Sequence, residues 1–153
     1  MSGKTKDLDK AKRAVDLEVE LFVKLLQAAE ALGQGAAEVL RPAGLTPAQY
    51  NVLRILRGAG TQGLSCSQIR DRLITRDSDI TRLLDRLEAA GWVSRQRETE
   101  DRRVVLSRIS ESGLFLLASL DEPMAAHHRA TFAHVPRKRL RELAEVLDLV
   151  LGN

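Results

Sequence analysis

The chain has 153 residues, of which 44% are hydrophobic and 29% charged, with a net charge of +3 and a pI near 9.3. This length suits one domain, or one domain with a dimerisation arm, and no apolar run approaches the roughly 18 residues that cross a bilayer. The single cysteine excludes an internal disulfide, so the composition predicts a cytoplasmic protein without a membrane segment.

The first predicted element is one long helix over residues 7–40. Apolar side chains recur along it at helical spacing and form a wide stripe with charges between them. Gly33 and Gly35 are poor helix formers and predict a bend or a frayed end. The segment 41–44, Arg-Pro-Ala-Gly, then ends the helix.

Two shorter helices follow, each with the same start signal. Thr46 followed by Gln49 has the spacing of a capping box, and this helix extends to about Arg57 with Tyr50 and Leu53 on its core face. Ser65 and Gln68 repeat the signal for a helix from about residue 66 to residue 73. Leu64, just before it, is placed to add a single rung to a small sheet.

A helix from about residue 77 to residue 90 forms the second half of a helix-turn-helix. Its apolar side chains fall at i, i+3, i+4 and i+7, the spacing of one buried stripe. The opposite face is polar and able to donate hydrogen bonds. The stripe is Ile80, Leu83, Leu84 and Leu87; the polar face is Ser78, Arg82, Asp85 and Ala89, flanked by Thr81, Asp79 and Arg86.

A charged hairpin follows Gly91, the residue type that commonly closes a helix. Residues 92–97 and 103–109 are rich in Val, Ile and Arg and predict two strands, with residues 98–102 as the turn. A hairpin in this position is the wing of a winged helix.

The last third of the chain predicts two more helices, one capped by Ser110 and one opened by Pro136. The terminal helix has a strong apolar stripe, and the first helix of the chain offers a second one. Together they exceed what a small winged-helix core buries, so we expect a homodimer built from the two ends of the chain.

The predicted fold is therefore mainly α with a small β wing, forming one working unit. A winged helix-turn-helix lobe occupies residues 46–109, and dimerisation helices flank it at residues 7–40 and 111–153.

Three phrases of the sequence carry a family resemblance. They are LTPAQY at 45–50, TRLLDRLE at 81–88 followed by Gly91, and DRR at 101–103 leading through Leu106 to ISESG at 109–113. With these phrases the chain resembles the MarR family of transcriptional regulators. The resemblance covers essentially the whole chain, although the first and last helices match by position and length alone.

The resemblance implies a sequence-specific DNA-binding regulator that straddles a palindromic operator as a homodimer. The helix at 77–90 would enter the major groove, with Arg82 as its leading contact, and the wing would reach the minor groove. In the wing, Asp101 would orient Arg103 into that groove with Arg102 as a helper. Members of the family are commonly repressors that small phenolic ligands, oxidants or metals release from DNA.

Several residues of this predicted interface have competing interpretations. Ser78 and Arg82 reach base edges, and Thr81 holds phosphate, if the amino-terminal half of the helix points into the groove. Asp79 would accept from cytosine, repel phosphate or, as we favour, pair with a neighbouring arginine, Arg82 or Arg86. The arginines of the wing would otherwise form a solvated hairpin tip balanced by acidic neighbours.

A small aromatic effector would bind between the dimerisation helices and the lobe. The candidate contacts are Phe22, Leu26, Tyr50 and Leu53, and plain core packing is the competing interpretation.

Other chemistries find little support in the sequence. Neither a Gly-rich phosphate loop nor a nucleophile elbow is present, so we expect no enzyme activity and no cofactor. His127, His128, His134 and Cys66 do not form a tetrahedral metal motif, and Cys66 is interpreted as a structural thiol. The alternative function is a winged helix that binds other proteins and has no sequence-specific DNA binding. Salt would weaken such an apolar protein interface far less than it weakens DNA binding through arginines.

Overall fold

The computed structural model describes residues 3–75, 79–98 and 103–152, with side chains from residue 16 onward. Within them the fold is mainly helical with one two-stranded antiparallel sheet, which confirms the predicted fold class. The elements are α1 (Gly3–Leu40), α2 (Pro47–Ala59), α3 (Cys66–Arg70), α4 (Ile80–Ala89), β1 (Val93–Arg97), β2 (Val105–Ile109), α5 (Glu111–Thr131) and α6 (Arg137–Leu151).

The predicted helix starts are confirmed by their hydrogen bonds. Thr46 Oγ1 accepts from the Gln49 backbone amide at 3.2 Å, and Gln49 Oε1 accepts from the Thr46 amide at 2.9 Å. Ser65 and Gln68 form the same reciprocal pair at the start of α3. Ser110 caps α5 by accepting from the Gly113 amide at 3.1 Å. Each cap satisfies backbone donors that the helix itself leaves open.

Several predicted boundaries were wrong. α1 begins at Gly3 rather than residue 7, and it continues past both Gly33 and Gly35 to Leu40 without the predicted frayed end. α3 ends at Arg70 instead of residue 73, because the amides of Arg72 and Leu73 bond to carbonyls three residues back and tighten the chain into a turn. α4 begins at Ile80, later than the predicted start near residue 77.

The core joins the lobe to the flanking helices. Leu53, Ile69 and Leu84 of the lobe are fully buried in one cluster with Leu40 of α1 and Leu117 of α5. The lobe at residues 46–109 therefore depends on both flanking segments for its apolar packing. A movement of α1 or α5 would therefore change the packing of the core side chains beneath α4.

The wing is a two-stranded sheet to which one further residue, Leu64, pairs beside β2. β1 and β2 pair with Val93 opposite Ile109 and Arg97 opposite Val105. Leu64 adds the predicted single rung, because its amide and carbonyl both bond to Ser107 at 3.0 and 2.8 Å. This rung attaches the wing to the segment that leads into α3.

The two ends of the chain leave apolar surface uncovered. Residues 16–34 of α1 are exposed at every position, and no residue of α6 is buried. None of the helices in the described part of the chain has the length and apolar character needed to span a membrane. The large exposed apolar residues of these two segments are Leu17, Val19, Leu21, Phe22, Val23, Leu25, Leu26, Leu32, Leu143, Val146, Leu149, Val150 and Leu151.

Candidate nucleic-acid interface

Helix α4 has one buried and one exposed face, as its spacing predicts. Ile80, Leu84 and Leu87 are buried in the core, and Leu83 is partly buried beside them. Glu88 is also partly buried, and the other side chains of α4 face solvent; they are Thr81, Arg82, Asp85, Arg86 and Ala89. The apolar stripe therefore fixes the helix while its polar face stays available to a partner.

Asp79 caps α4 instead of pairing with an arginine. Its Oδ1 atom accepts from the backbone amide of Arg82 at 3.2 Å. Within the described part of the chain no ion pair joins Asp79 to the side chain of Arg82 or Arg86, so the favoured interpretation was wrong. A carboxylate at this end of a helix is stabilised by the open amides and by the helix dipole.

Arg82 and Arg86 lie together on the exposed face of α4. With Asp79 and Leu83 they line a shallow cleft of about 200 Å³. Arg86 forms no ion pair with any residue that the structure describes, although the sequence favoured one. The i, i+4 spacing of the two arginines was the signal that they share a face. Arg86 thus joins Arg82 as a cation available to phosphate or to a base edge.

The other charged residues of α4 are tied to the wing. Arg95, in the middle of β1, donates from Nη2 to Asp85 Oδ1 at 2.6 Å and to Glu88 Oε2 at 2.5 Å. Its Nε also donates to Glu88 Oε2 at 2.8 Å. Hydrogen bonding to Glu88 raises the pKa of the Arg95 guanidinium above its usual value. The sequence analysis placed Asp85 on the exposed polar face, but its carboxylate is therefore already paired with Arg95.

The wing brings Arg103 to the surface at the end of the hairpin. Arg103 is exposed, and below it the Glu98 amide donates to the Val104 carbonyl at 2.9 Å. Ser78, Asp101 and Arg102 lie outside the described residues. Of the seven predicted DNA contacts, the structure therefore places Asp79, Thr81 and Arg82 on α4 and Arg103 on the wing.

A polar groove that the sequence analysis missed runs between the start of α3 and the wing. Its volume is about 760 Å³, and Arg97 and Arg108 line it opposite Ser65 and Ser67. Arg108 is held in place by donating from Nε to the Thr61 carbonyl at 2.8 Å. These residues lie far apart in the sequence and come together through the pairing of Leu64 with Ser107. Their spacing in the sequence therefore did not predict the groove.

The four candidate effector contacts fall into two groups. Tyr50 and Leu53 are buried in the lobe core, whereas Phe22 and Leu26 are 63% and 57% exposed on α1. The apolar α1 residues that pack on the core begin at Ala36, which lies roughly 15 Å along the helix from Leu26. A single chain therefore does not bring the two groups together.

The candidate metal ligands likewise do not converge. Across the described residues, no three His, Cys, Asp or Glu side chains lie close enough to hold a metal ion. The rings of His127 and His128 are 5.7 Å apart, and Cys66 is partly buried at the start of α3.

Comparisons of the sequence and of the fold both match this chain to transcriptional regulators. The family model described as "MarR family" matches residues 45–105. The transcriptional regulator PecS of Dickeya dadantii is 31% identical over 113 residues, covering 71% of this chain and 68% of PecS. A MarR transcription factor structure from Planctomyces limnophilus is 35% identical, with a TM-score of 0.67 over 85% of this chain and 94% of that one.

A further structure shows the fold with a ligand present. The organohalide-sensing regulator RdhR-CbdbA1625, solved in its 2,4-dichlorophenol-bound form, has a TM-score of 0.80 and 18% identity. The alignment covers 89% of this chain and 80% of that one. The proteins that this chain resembles are transcriptional regulators rather than enzymes.

Proposed function

Because this chain belongs to the MarR family and is a DNA-binding transcriptional regulator, we propose that it is a homodimeric repressor of a palindromic operator. The observation that carries this proposal is the exposed polar face of α4. Arg82 and Arg86 stand on that face while three buried leucine and isoleucine side chains fix its orientation. The proposal places the protein in the cytoplasm with the chromosomal DNA.

We propose that α4 enters the major groove and that the wing reaches the neighbouring minor groove. Arginine recognises guanine and phosphate through paired donors, and a narrow A·T-rich minor groove attracts an inserted arginine. Arg82 would make the leading contact of α4, with Thr81 and Ser78 beside it. Arg103 would enter the minor groove, oriented by Asp101 and assisted by Arg102.

The proposed dimer rests on the uncovered apolar surface of α1 and α6. Exposed leucine, valine and phenylalanine side chains recur along both segments, which is unusual for a surface that stays in water. A twofold axis through these helices would set two α4 helices about one DNA turn apart, roughly 34 to 36 Å.

We propose that a small aromatic effector binds beside the dimerisation helices and changes the distance between the two α4 helices. Phe22 and Leu26 are exposed and available to contact such a ligand, whereas Tyr50 and Leu53 are buried in the lobe core and would contact it only if the partner or a shift of α1 brought the two pairs together. The dichlorophenol-bound regulator of the same fold makes a halogenated phenol a reasonable first ligand to test. A Phe22→Ala variant should lose any stabilisation by the phenol that thermal unfolding detects in the native protein.

The main proposal is tested by fluorescence anisotropy on DNA from the region that flanks its own gene. The native protein should show saturable binding whose affinity falls steeply with salt, and Arg82→Ala and Arg103→Ala should each weaken it by about tenfold or more. Lys138→Ala is the control, because this lysine is exposed on α6 and its replacement should leave affinity unchanged. Equal affinity for this DNA and for random duplex would contradict the proposal.

A further inference from the structure

The two surfaces that would contact DNA belong to separate elements with a short connection. α4 ends at Ala89 and β1 begins at Val93, so three residues join them. Arg103 lies two residues before Val105, which pairs with Arg97, so it is about four residues along the hairpin from Arg95, or roughly 13 Å at about 3.3 Å per residue. A change of about 10° in the angle of β1 would therefore move Arg103 by about 2 Å, enough to lose a hydrogen bond.

The side chain of Arg95 joins α4 to β1 across this connection. The guanidinium of Arg95 contacts carboxylates on two successive turns of α4, those of Asp85 and Glu88. Contacts on two turns resist rotation as well as separation, which a single ion pair would not do. The Arg95 side chain is 24% exposed, and its partners Asp85 and Glu88 are 54% and 39% exposed.

Arg95 sits where such a contact acts on the whole sheet. It is the central residue of β1 and lies opposite Ser107, the residue of β2 that also pairs with Leu64. The sheet is therefore attached to α4 on one side of its middle row and to the segment before α3 on the other. Glu88 and Asp85 lie three residues apart on α4, at the spacing that places both on one face.

We propose that Arg95 is a positioning residue, which holds the wing at the angle from α4 that lets Arg103 and Arg82 contact DNA together. The inference rests on the proposed function, because it assumes that both arginines bind DNA. Arg95 itself directs its donors to Asp85 and Glu88 and is not a DNA contact. It also places a positive charge against Asp85, whose carboxylate would otherwise face the phosphates unopposed.

The test is a double-mutant comparison in DNA binding, using the full chain. In the native background Arg103→Ala should weaken binding by about tenfold, and in an Arg95→Gln background by less than about threefold, because the wing no longer reaches its groove. Arg82→Ala should weaken binding equally in both backgrounds. If Arg103→Ala weakens binding as much with Arg95→Gln as without it, the proposal is wrong.

A matched control separates positioning from general loss of stability. Arg57 forms a two-bond ion pair with Asp121 at 2.9 and 3.0 Å and is 34% exposed, close to Arg95 in burial. Arg57→Gln removes a comparable contact far from the connection between α4 and the wing. In that background Arg103→Ala should keep its full tenfold effect.

A second measurement does not depend on DNA. Cys66 is the single cysteine, so Cys66→Ser provides a background for spin labels at Ala89→Cys on α4 and Arg97→Cys on β1. The distribution of distances between the two labels should be narrow when Arg95 is present. It should broaden after Arg95→Gln and stay narrow after Arg57→Gln. An unchanged width after Arg95→Gln would overturn the inference. If Arg103→Ala has no effect in native protein while the width still responds, the proposed wing contact fails instead.

Discussion

At the scale of the residue, Asp79 has a structural role at the start of α4, beside the proposed DNA-binding surface. Its carboxylate accepts from the Arg82 amide and so belongs to the backbone of α4. Asp79→Ala should lower the free energy of unfolding by about 1 kcal/mol, whereas Asp79→Asn keeps an acceptor oxygen and should lower it by only a few tenths. Urea unfolding measures both. A loss with asparagine as large as with alanine would show that the charge, not the cap, is what matters.

The ion pair between Arg57 and Asp121 predicts a pH dependence. The hydrogen bond from Arg57 lowers the pKa of Asp121 below its usual range, so the folded protein binds this proton less readily than the unfolded chain. The ion pair therefore stabilises the folded protein at a pH above the pKa of Asp121 in the unfolded chain, near about 4. This stabilisation is lost as the pH falls through the lower pKa of Asp121 in the folded protein. Because Asp121 is 50% exposed, solvent limits the contribution to about 1 kcal/mol or less.

Asp121→Asn provides the measurement. At pH 7 the variant should unfold at a lower urea concentration than the native protein, and the difference should shrink as the pH falls below about 4. Glu122→Gln on the same helix is a suitable control, since its ion pair with Arg129 is far more exposed. A difference between Asp121→Asn and native protein that is constant from pH 7 to pH 3 would rule out the assigned cause.

The roles of single residues were predictable where the chemistry is local. Three caps followed from the spacing of a hydroxyl and an amide or glycine, as in Thr46 and Gln49. Asp79 obeys the same rule, but residues 77, 78 and 79 are all cap-forming types, and the sequence offers no means of choosing among them. The partners of Arg95 lie seven and ten residues away across a turn, so they could not be assigned before the fold was known.

At the scale of the element, α1 is continuous through Gly35, and the His127 side chain of α5 lies close against that glycine. A β-carbon at Gly35 would sit 2.7 Å from Cε1 and 2.9 Å from Nε2 of His127 on α5, while one at Gly33 would meet nothing within 4 Å. The sequence analysis considered only helix propensity and predicted a weak point at both glycines. The structure shows that Gly35 instead makes room for a ring from another helix.

This difference makes the two glycines a matched pair of test sites. Gly33→Ala should stabilise the protein by up to about 1 kcal/mol through helix propensity alone. Gly35→Ala gains the same propensity but crowds the His127 ring, so it should be at least about 1 kcal/mol less stable than Gly33→Ala. Adding His127→Ala to Gly35→Ala should recover part of the loss. Equal thermal stability of the two glycine variants would contradict the proposed close packing.

The ends of elements were harder to predict than their faces. The stripe of α4 is buried at Ile80, Leu84 and Leu87 as its spacing requires, because burial of a face depends on periodicity over several turns. The end of α3 and the start of α4 depend instead on how the chain turns between two packed helices. That turn depends on the contacts that Ile69 and Leu73 make with the core, and the spacing of neighbouring residues in the sequence does not predict those contacts.

At the scale of the whole molecule, the uncovered apolar faces of α1 and α6 require a partner if the protein is to stay in solution. Val146 and Val150 lie one turn apart on α6 and are 54% and 68% exposed. If these side chains are buried between two copies, two carboxylates at these positions would be left unpaired in an apolar interface. Val146→Asp combined with Val150→Asp should therefore convert the dimer into monomers in sedimentation analysis.

The same double variant should lose operator binding without any change in the winged helix-turn-helix lobe. A dimer engages two half-sites at once, and loss of the second engagement commonly lowers apparent affinity by about 100-fold or more. Ile74→Asp is the matched control for assembly, because this residue is more exposed than either valine but lies in the turn after α3. It should leave the sedimentation coefficient of the dimer unchanged. Native protein that sediments as a monomer at micromolar concentration would refute the dimer, and the apolar faces would then need another occupant.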